Sequence, residues 1–223
     1  MKKVIGIVLL VFAGTVMLNG LIPKNIENSL EKEEKKELPV VESTALYEEF
    51  TLPSLTEKAT YVIQAKVMEV GDTLMKEKAF SLTEDPKEAT EIISYPVTPI
   101  TLKVNNVMKG EDIAAGDTFV YYEDGGRTPD YIQLPDGFLM EEGMDIILFL
   151  DKEGYCWGYQ SMFPVVNDQV LLNEVALDYV NPDKVSEMDT KKMKSVFKEQ
   201  INHSVSTFMQ VEDFANVIKA LQN

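Results

Sequence analysis

The residues of this chain that could do chemistry are few and widely separated. Cys156 is its one cysteine and His203 its one histidine. A thiol nucleophile needs a base to take its proton, and that imidazole falls far along the chain, in a region of helical periodicity. A single cysteine also rules out an intramolecular disulfide. Cys156 lies in Tyr155-Cys156-Trp157-Gly158-Tyr159, surroundings that predict a buried, inert thiol. Arg127 is the one arginine, following Glu123-Asp124-Gly125-Gly126 and preceding Thr128-Pro129. Glycines let backbone approach a ligand closely, and guanidinium grips a carboxylate through a planar fork that lysine lacks. With Tyr121, Tyr122 and Tyr131 as flat stacking surfaces, this loop is the candidate ligand-binding site. The competing reading is that Arg127 pairs with a surface carboxylate and contributes little.

Other chemistries find less support. Glu123-Asp124 beside the glycines could bind calcium weakly, but a solvated turn explains them, and no metal or cofactor is assigned. No His-rich zinc set, Asp-x-Asp-x-Asp-Gly loop, phosphate-cradling glycine loop or Gly-x-Ser-x-Gly elbow occurs. The 37 acidic residues guarantee some close carboxylates, as a glycosidase pair requires, yet no spacing singles one out. No catalytic residue is therefore assigned. A net charge of −16 repels phosphate backbones and anionic headgroups, so nucleic acid is not expected as a partner.

The elements that must carry these residues read as mainly β. The composition, 45% hydrophobic and 26% charged over 223 residues, is that of a globular chain with a real core. Ser54 reads as a helix N-cap with Glu57 closing a capping box. Tyr61, Ile63, Ala65 and Val67 alternate as a strand. Residues 71–95 are polar and poorly periodic and predict a long loop. A second strand is expected over 97–108, a third over 118–122, and the most apolar one over 146–150. Residues 151–154 read as a hairpin connection to a strand over 155–159, and Asn167-Asp168 as the turn between 163–166 and 169–172. The period then changes. After a start signal at Ser186…Asp189, Met193, Val196, Phe197, Gln200, Ile201 and Val205 recur at helical spacing. Val211, Phe214, Val217, Ile218 and Leu221 define a second amphipathic helix. Both apolar faces are expected to pack on their own domain.

Four stretches taken in order carry a resemblance: Leu55-Thr56-Glu57-Lys58-Ala59-Thr60-Tyr61-Val62-Ile63-Gln64-Ala65-Lys66-Val67, Val104-Asn105-Asn106-Val107-Met108-Lys109-Gly110, Gly116-Asp117-Thr118 and Glu142-Gly143-Met144-Asp145-Ile146-Ile147-Leu148-Phe149-Leu150. The pattern is similar to the OB-like β-barrel of netrin and tissue-inhibitor-of-metalloproteinase domains, and of secreted bacterial proteins sharing it. The resemblance spans roughly residues 52–160 and implies an antiparallel barrel. Two departures matter. The inhibitors chelate a protease zinc through a cysteine at the mature N-terminus, which this chain lacks, and Met144-Asp145-Ile146 stands where Tyr-Leu is usual. The resemblance thus implies the barrel without protease inhibition.

At the start of the chain, Lys2 and Lys3 precede an uncharged run over 4–22, closed by Pro23 and Lys24. That is the basic and apolar pattern of an export signal, and also just enough length to span a bilayer. A signal cleaved after Val11-Phe12-Ala13 and an uncleaved anchor both remain open; no following cysteine offers a lipid anchor. Residues 24–50 are dense in Glu and Lys and read as a solvated spacer. The expected organisation is a signal peptide or membrane anchor over 1–23, the spacer over 24–50, an OB-like antiparallel β-barrel with an extra hairpin over 51–180, and a C-terminal helical segment over 181–223. The expected function is a non-enzymatic extracytoplasmic binding module, secreted or membrane-anchored, for an extracellular protein or cell-wall polymer, touching membrane only through its N-terminal segment. The alternatives are a cell-wall hydrolase or modifying enzyme with a carboxylate site, and an accessory subunit docking to a membrane complex through its helices.

Overall fold

A computed structural model describes residues 38–42, 48–81, 90–189 and 205–222. The apolar run over 4–22, the charged spacer before Leu38, and the expected helical positions Met193 to Ile201 lie outside the described residues, as does His203. Strand β1 (Val40–Glu42) comes first, then helix α1 (Leu52–Lys58). Thr51, not Ser54, caps α1. Its hydroxyl accepts from Ser54 N at 3.3 Å, and Ser54 Oγ accepts from Thr51 N at 3.0 Å, so Ser54 is the far corner of the capping box. Pro53 explains the earlier start, since its missing N–H costs nothing in a first helical turn. Leu52 and Leu55 point into the core.

The body of the domain is one sheet built around β2 (Tyr61–Val70), which lies antiparallel between β4 (Thr90–Lys109) and β8 (Asp145–Leu150). The stretch expected as a long loop is mostly a ribbon. β3 (Leu74–Ser81) pairs with the first part of β4, from Leu74 opposite Val97 to Ser81 opposite Thr90. Leu74, Met75, Ile92 and Ile93 are exposed there, so no buried face imposes the alternation by which strands are read. Gly71 N donates to Pro99 O at 2.9 Å, keeping the chain on one edge of β4 from β2 to β3. The approach is close, since a Cβ at position 71 would sit 3.0 Å from that carbonyl oxygen. β5 (Thr118–Asp124) takes the opposite edge of β4, then β6 (Gly126–Arg127), β7 (Ile132–Leu134) and β1 form a small sheet in which β1 runs parallel to β7. Residues 40–42, read as spacer, are thus a strand of the domain.

Beyond β8 come β9 (Met162–Val166) and β10 (Gln169–Leu171), joined by Asn167 and Asp168 with φ of 51° and 62°, the two-residue hairpin turn that the sequence predicts. Residues 155–159 are not the returning strand. Asp151 Oδ1 accepts from Glu153 N at 2.8 Å and Tyr155 N at 2.9 Å, winding the chain into a turn that ends in the 3-10 segment Gly158–Ser161. A short helix, α2 (Glu174–Leu177), follows. Ser186 to Asp189 is no helix start but part of β11 (Val185–Asp189), held in register by β12 (Val205–Gln210), which pairs in turn with β10. Helix α3 (Val211–Ala220) packs Phe214, Ala215 and Ile218 on its own domain, as expected.

The run Ile146–Leu150 within β8 is continuously apolar because both faces of the strand are covered. Ile147 and Phe149 join Leu55, Val62, Phe163 and Phe214 on one face; Ile146, Leu148 and Leu150 join Ile63, Leu102, Val104 and Phe208 on the other. Ile63, Leu102, Val104, Ile147 and Phe149 are each 1% exposed or less. They divide between two cores rather than lining one interior. The protein is mainly β, with antiparallel pairing apart from β1–β7. Hydrogen bonding leaves free ends at β11 and at β3 and β5, so among the described residues the sheet does not close on itself.

Candidate functional site

Strand β5 decides where the candidate tyrosines go. Side chains alternate along a strand, so the adjacent Tyr121 and Tyr122 cannot face the same side. Tyr121 faces the core, 3% exposed, its hydroxyl 3.2 Å from Cys156 Sγ. It offers no stacking surface, which corrects its place in the candidate site. Tyr122 faces the other way and stacks on Tyr155 with centroids 5.6 Å apart and rings 27° from parallel.

Arg127 is exposed on β6, and among the described residues its guanidinium has no hydrogen-bonded or ion-paired partner. Its backbone belongs to a knot. Arg127 N donates to Thr73 Oγ1 at 3.0 Å, the Thr73 and Thr98 hydroxyls are 3.0 Å apart, and Thr98 Oγ1 donates to Gly125 O at 2.8 Å. Because Thr98 uses its single proton on Gly125, Thr73 must be the donor between the two hydroxyls. Gly126, at φ +133°, fits where a Cβ would strike both threonine oxygens. The double glycine therefore serves close packing of protein on protein. Tyr131 is half-buried, in a turn closed by the Thr128 hydroxyl, which accepts from Tyr131 N at 3.0 Å and donates to Tyr131 O at 2.9 Å. The four candidate residues are thus not brought together.

A cleft of about 510 Å³ opens instead beside Tyr155. The β3–β4 ribbon supplies Lys78, Ile93 and Tyr95 on one wall. Asp124 at the end of β5, Gln133 on β7 and Asp136 form another, and the turn with Asp151, Glu153, Tyr155 and Cys156 completes it. Lys76 pins the ribbon in place: its ammonium donates to Tyr155 Oη at 2.6 Å and lies 3.8 Å from the Tyr122 ring centroid. The hydrogen bond to Tyr155 pushes the Lys76 pKa up, and the nearby tyrosines add to it. Burial, then Tyr155 and Asp124, push the Tyr95 phenol up, so it remains a neutral hydroxyl at ordinary pH. Behind the cleft, Tyr121, Tyr122, Pro135, Asp136 and Cys156 surround a pocket of about 10 Å³, room for about one water.

Two titratable groups flank this region, Cys156 partly buried and Glu123 fully so. Burial pushes the Cys156 thiol up, against hydrogen bonds that favour the thiolate, as suits an unreactive cysteine. Glu123, 2% exposed, accepts from Met140 N at 2.9 Å. Burial raises its pKa to about 7, the Met140 bond pulls the other way, and Asp124 adds to the rise. Sequence reasoning placed Glu123 in a solvated turn. The signal it missed was parity, because Glu123 shares the inward face of β5 with Tyr121. Among the described residues no group of three or more His, Cys, Asp or Glu side chains is placed to hold a metal ion. Compared with known proteins, the chain matches no family model and no curated protein sequence.

Proposed function

We propose that this protein is a non-enzymatic extracytoplasmic binding module whose cleft takes a polyhydroxylated ring, as in a cell-wall polysaccharide. The observation that carries the reading is the combination of Tyr95 and Tyr155 with Asp124, Asp136, Asp151 and Glu153 around one cleft. Its size falls within the roughly 300–1,000 Å³ of ligand pockets. Tyrosine faces stack on the apolar side of a sugar ring, and carboxylates accept from its hydroxyls. Export rests on Lys2-Lys3 and the uncharged run over 4–22. Relationship to OB-like barrels of the netrin type is part of the proposal. It is supported by α1 leading into an irregularly registered β2 that pairs with both β4 and β8.

The carboxylates in the cleft also favour a second reading, a hydrolase of the same polymer. One experiment separates the two. The full chain in mild detergent is incubated with isolated cell-wall polysaccharide, and both retention and released products are measured. Retention without soluble products, lost in Tyr155→Ala, supports the binding module. Product release abolished in Asp124→Asn replaces it with the enzyme, and no retention at all removes the ligand assignment. The docking-subunit alternative is weakened because α3 buries its apolar face in its own core.

A further inference from the structure

The segment 135–144 crosses the end of the sheet without helix or strand, yet it is tightly held. Phe138, Met140 and Met144 are each 2% exposed and join the core that contains Tyr121. At its far end Gly143 N donates to Val67 O at 2.9 Å and Val67 N to Met144 O at 2.8 Å. In its middle, Met140 N donates to the buried Glu123 carboxyl. Near its start, Asp136 lines the cleft. One strap thus joins a buried acid to a wall of the binding site.

The surroundings of Glu123 offer one amide and no cation to offset a negative charge. On its own strand it shares a face with Tyr121, neutral and bonded to Cys156, and its chain neighbour Asp124 is itself acidic. Across β4 its partner is Thr98, whose proton is committed to Gly125 O. From the strap it meets the Met140 amide. No lysine or arginine contributes to its titration. One amide does not repay the desolvation of a carboxylate, so the ionised form is favoured only where water reaches it.

We propose that Glu123 is a proton-controlled latch: neutral, it can stay buried beneath strap 135–144, and on releasing its proton to bulk water its charge favours a lifted strap in which water reaches it, despite the Met140 bond, and shifts Asp136 in the cleft wall. Burial holds the acid at about 7, against 4.5 when free. Opening therefore rises about tenfold per pH unit between those values and levels off above the upper one. The latch stands on the geometry of Glu123 and the strap. Only its consequence for ligand affinity rests on the cleft being the binding site.

The test is amide hydrogen exchange of the full chain from pH 5 to pH 8, corrected for intrinsic rates, with wild type beside Glu123→Gln. In wild type, protection of the strap amides falls several tens-fold from pH 5 to pH 7.5 and then stays level, while Glu123→Gln stays protected throughout. Equal pH dependence in the two proteins, or none in wild type, overturns the latch. Should Glu123→Gln not fold, the Glu123 carboxyl carbon and the Met140 amide are followed by NMR in wild type. A shared midpoint near 7 supports the proposal, and a carboxyl midpoint near 4.5 overturns it. Exchange is read without ligand, so failure of the polysaccharide reading leaves this result intact.

Discussion

The bend at Gly125–Arg127 and the tyrosine cleft are built from the same strand, and they answer different physical demands. At the bend, glycine, threonine and backbone groups satisfy one another, and the Arg127 side chain is left in water. At the cleft, Tyr95, Tyr155 and four carboxylates border open space, even though Asp151 also accepts from two backbone amides and Tyr155 from Lys76. Glycines beside an arginine look like a ligand loop in sequence, but the same composition suits a tight internal crossing. What separates the cases is whether the polar groups border a cleft.

The sharpest way to break this contrast is Gly126→Ala. The position combines φ of +133° with two threonine oxygens in the way of a Cβ. Strain of that kind costs about 2–4 kcal/mol, which urea denaturation reads directly. Wild-type stability in this variant would mean that the knot is not a structural crossing.

Glu123→Gln comes next. The folded carboxyl titrates at about 7 and the free one at 4.5, so between those values the folded chain holds more protons than the unfolded one. Stability therefore falls as pH rises through that window and is flat above it, by up to about 3 kcal/mol. The glutamine variant should lose the slope and be the more stable protein at pH 8, measured by urea midpoints at pH 5 and pH 8. An unchanged slope would assign the pH dependence to other groups.

Much of this was legible beforehand, and the misses share a cause. The β2 strand, the Asn167-Asp168 hairpin and the α3 face were readable because one periodicity dominates each and local chemistry agrees. The β3–β4 ribbon was unreadable because Met75 and Ile92 are exposed on it, while Lys76 and Tyr95, opposite each other, serve a contact with Tyr155. The cleft was hidden for the same reason. Its residues come from the ribbon, β5, β7 and the turn after β8, and no local pattern ties Tyr95 to Tyr155. Tyr121 and Glu123 could have been placed by counting alternate positions along β5.

Smaller effects sharpen the cleft itself. Tyr155→Ala removes a stacking face and the partner of Lys76, and should weaken polysaccharide retention by about tenfold, the effect of losing roughly 1–1.5 kcal/mol of aromatic contact. Lys76→Met keeps the stem and removes the charge over Tyr122. A partly buried cation–π contact is worth about 1 kcal/mol, so a modest drop in thermal stability is expected. A larger loss of binding than of stability would show that the ribbon has moved away from the cleft.

The smallest expected effect falls on the residue that the sequence made most conspicuous. Arg127→Ala removes a side chain without a partner among the described residues and leaves its backbone N–H to Thr73 in place. Exposed substitutions away from packed or bonded groups lie within about 0.5 kcal/mol of neutral. The variant should therefore melt as wild type and retain polysaccharide equally well, because Arg127 does not line the cleft. Arg127→Lys is the companion control. If alanine lowers retention while lysine restores it, the arginine acts through charge at the rim. If both lower it at unchanged stability, guanidinium geometry is required, and the ligand reaches from the cleft across β7 to the bend.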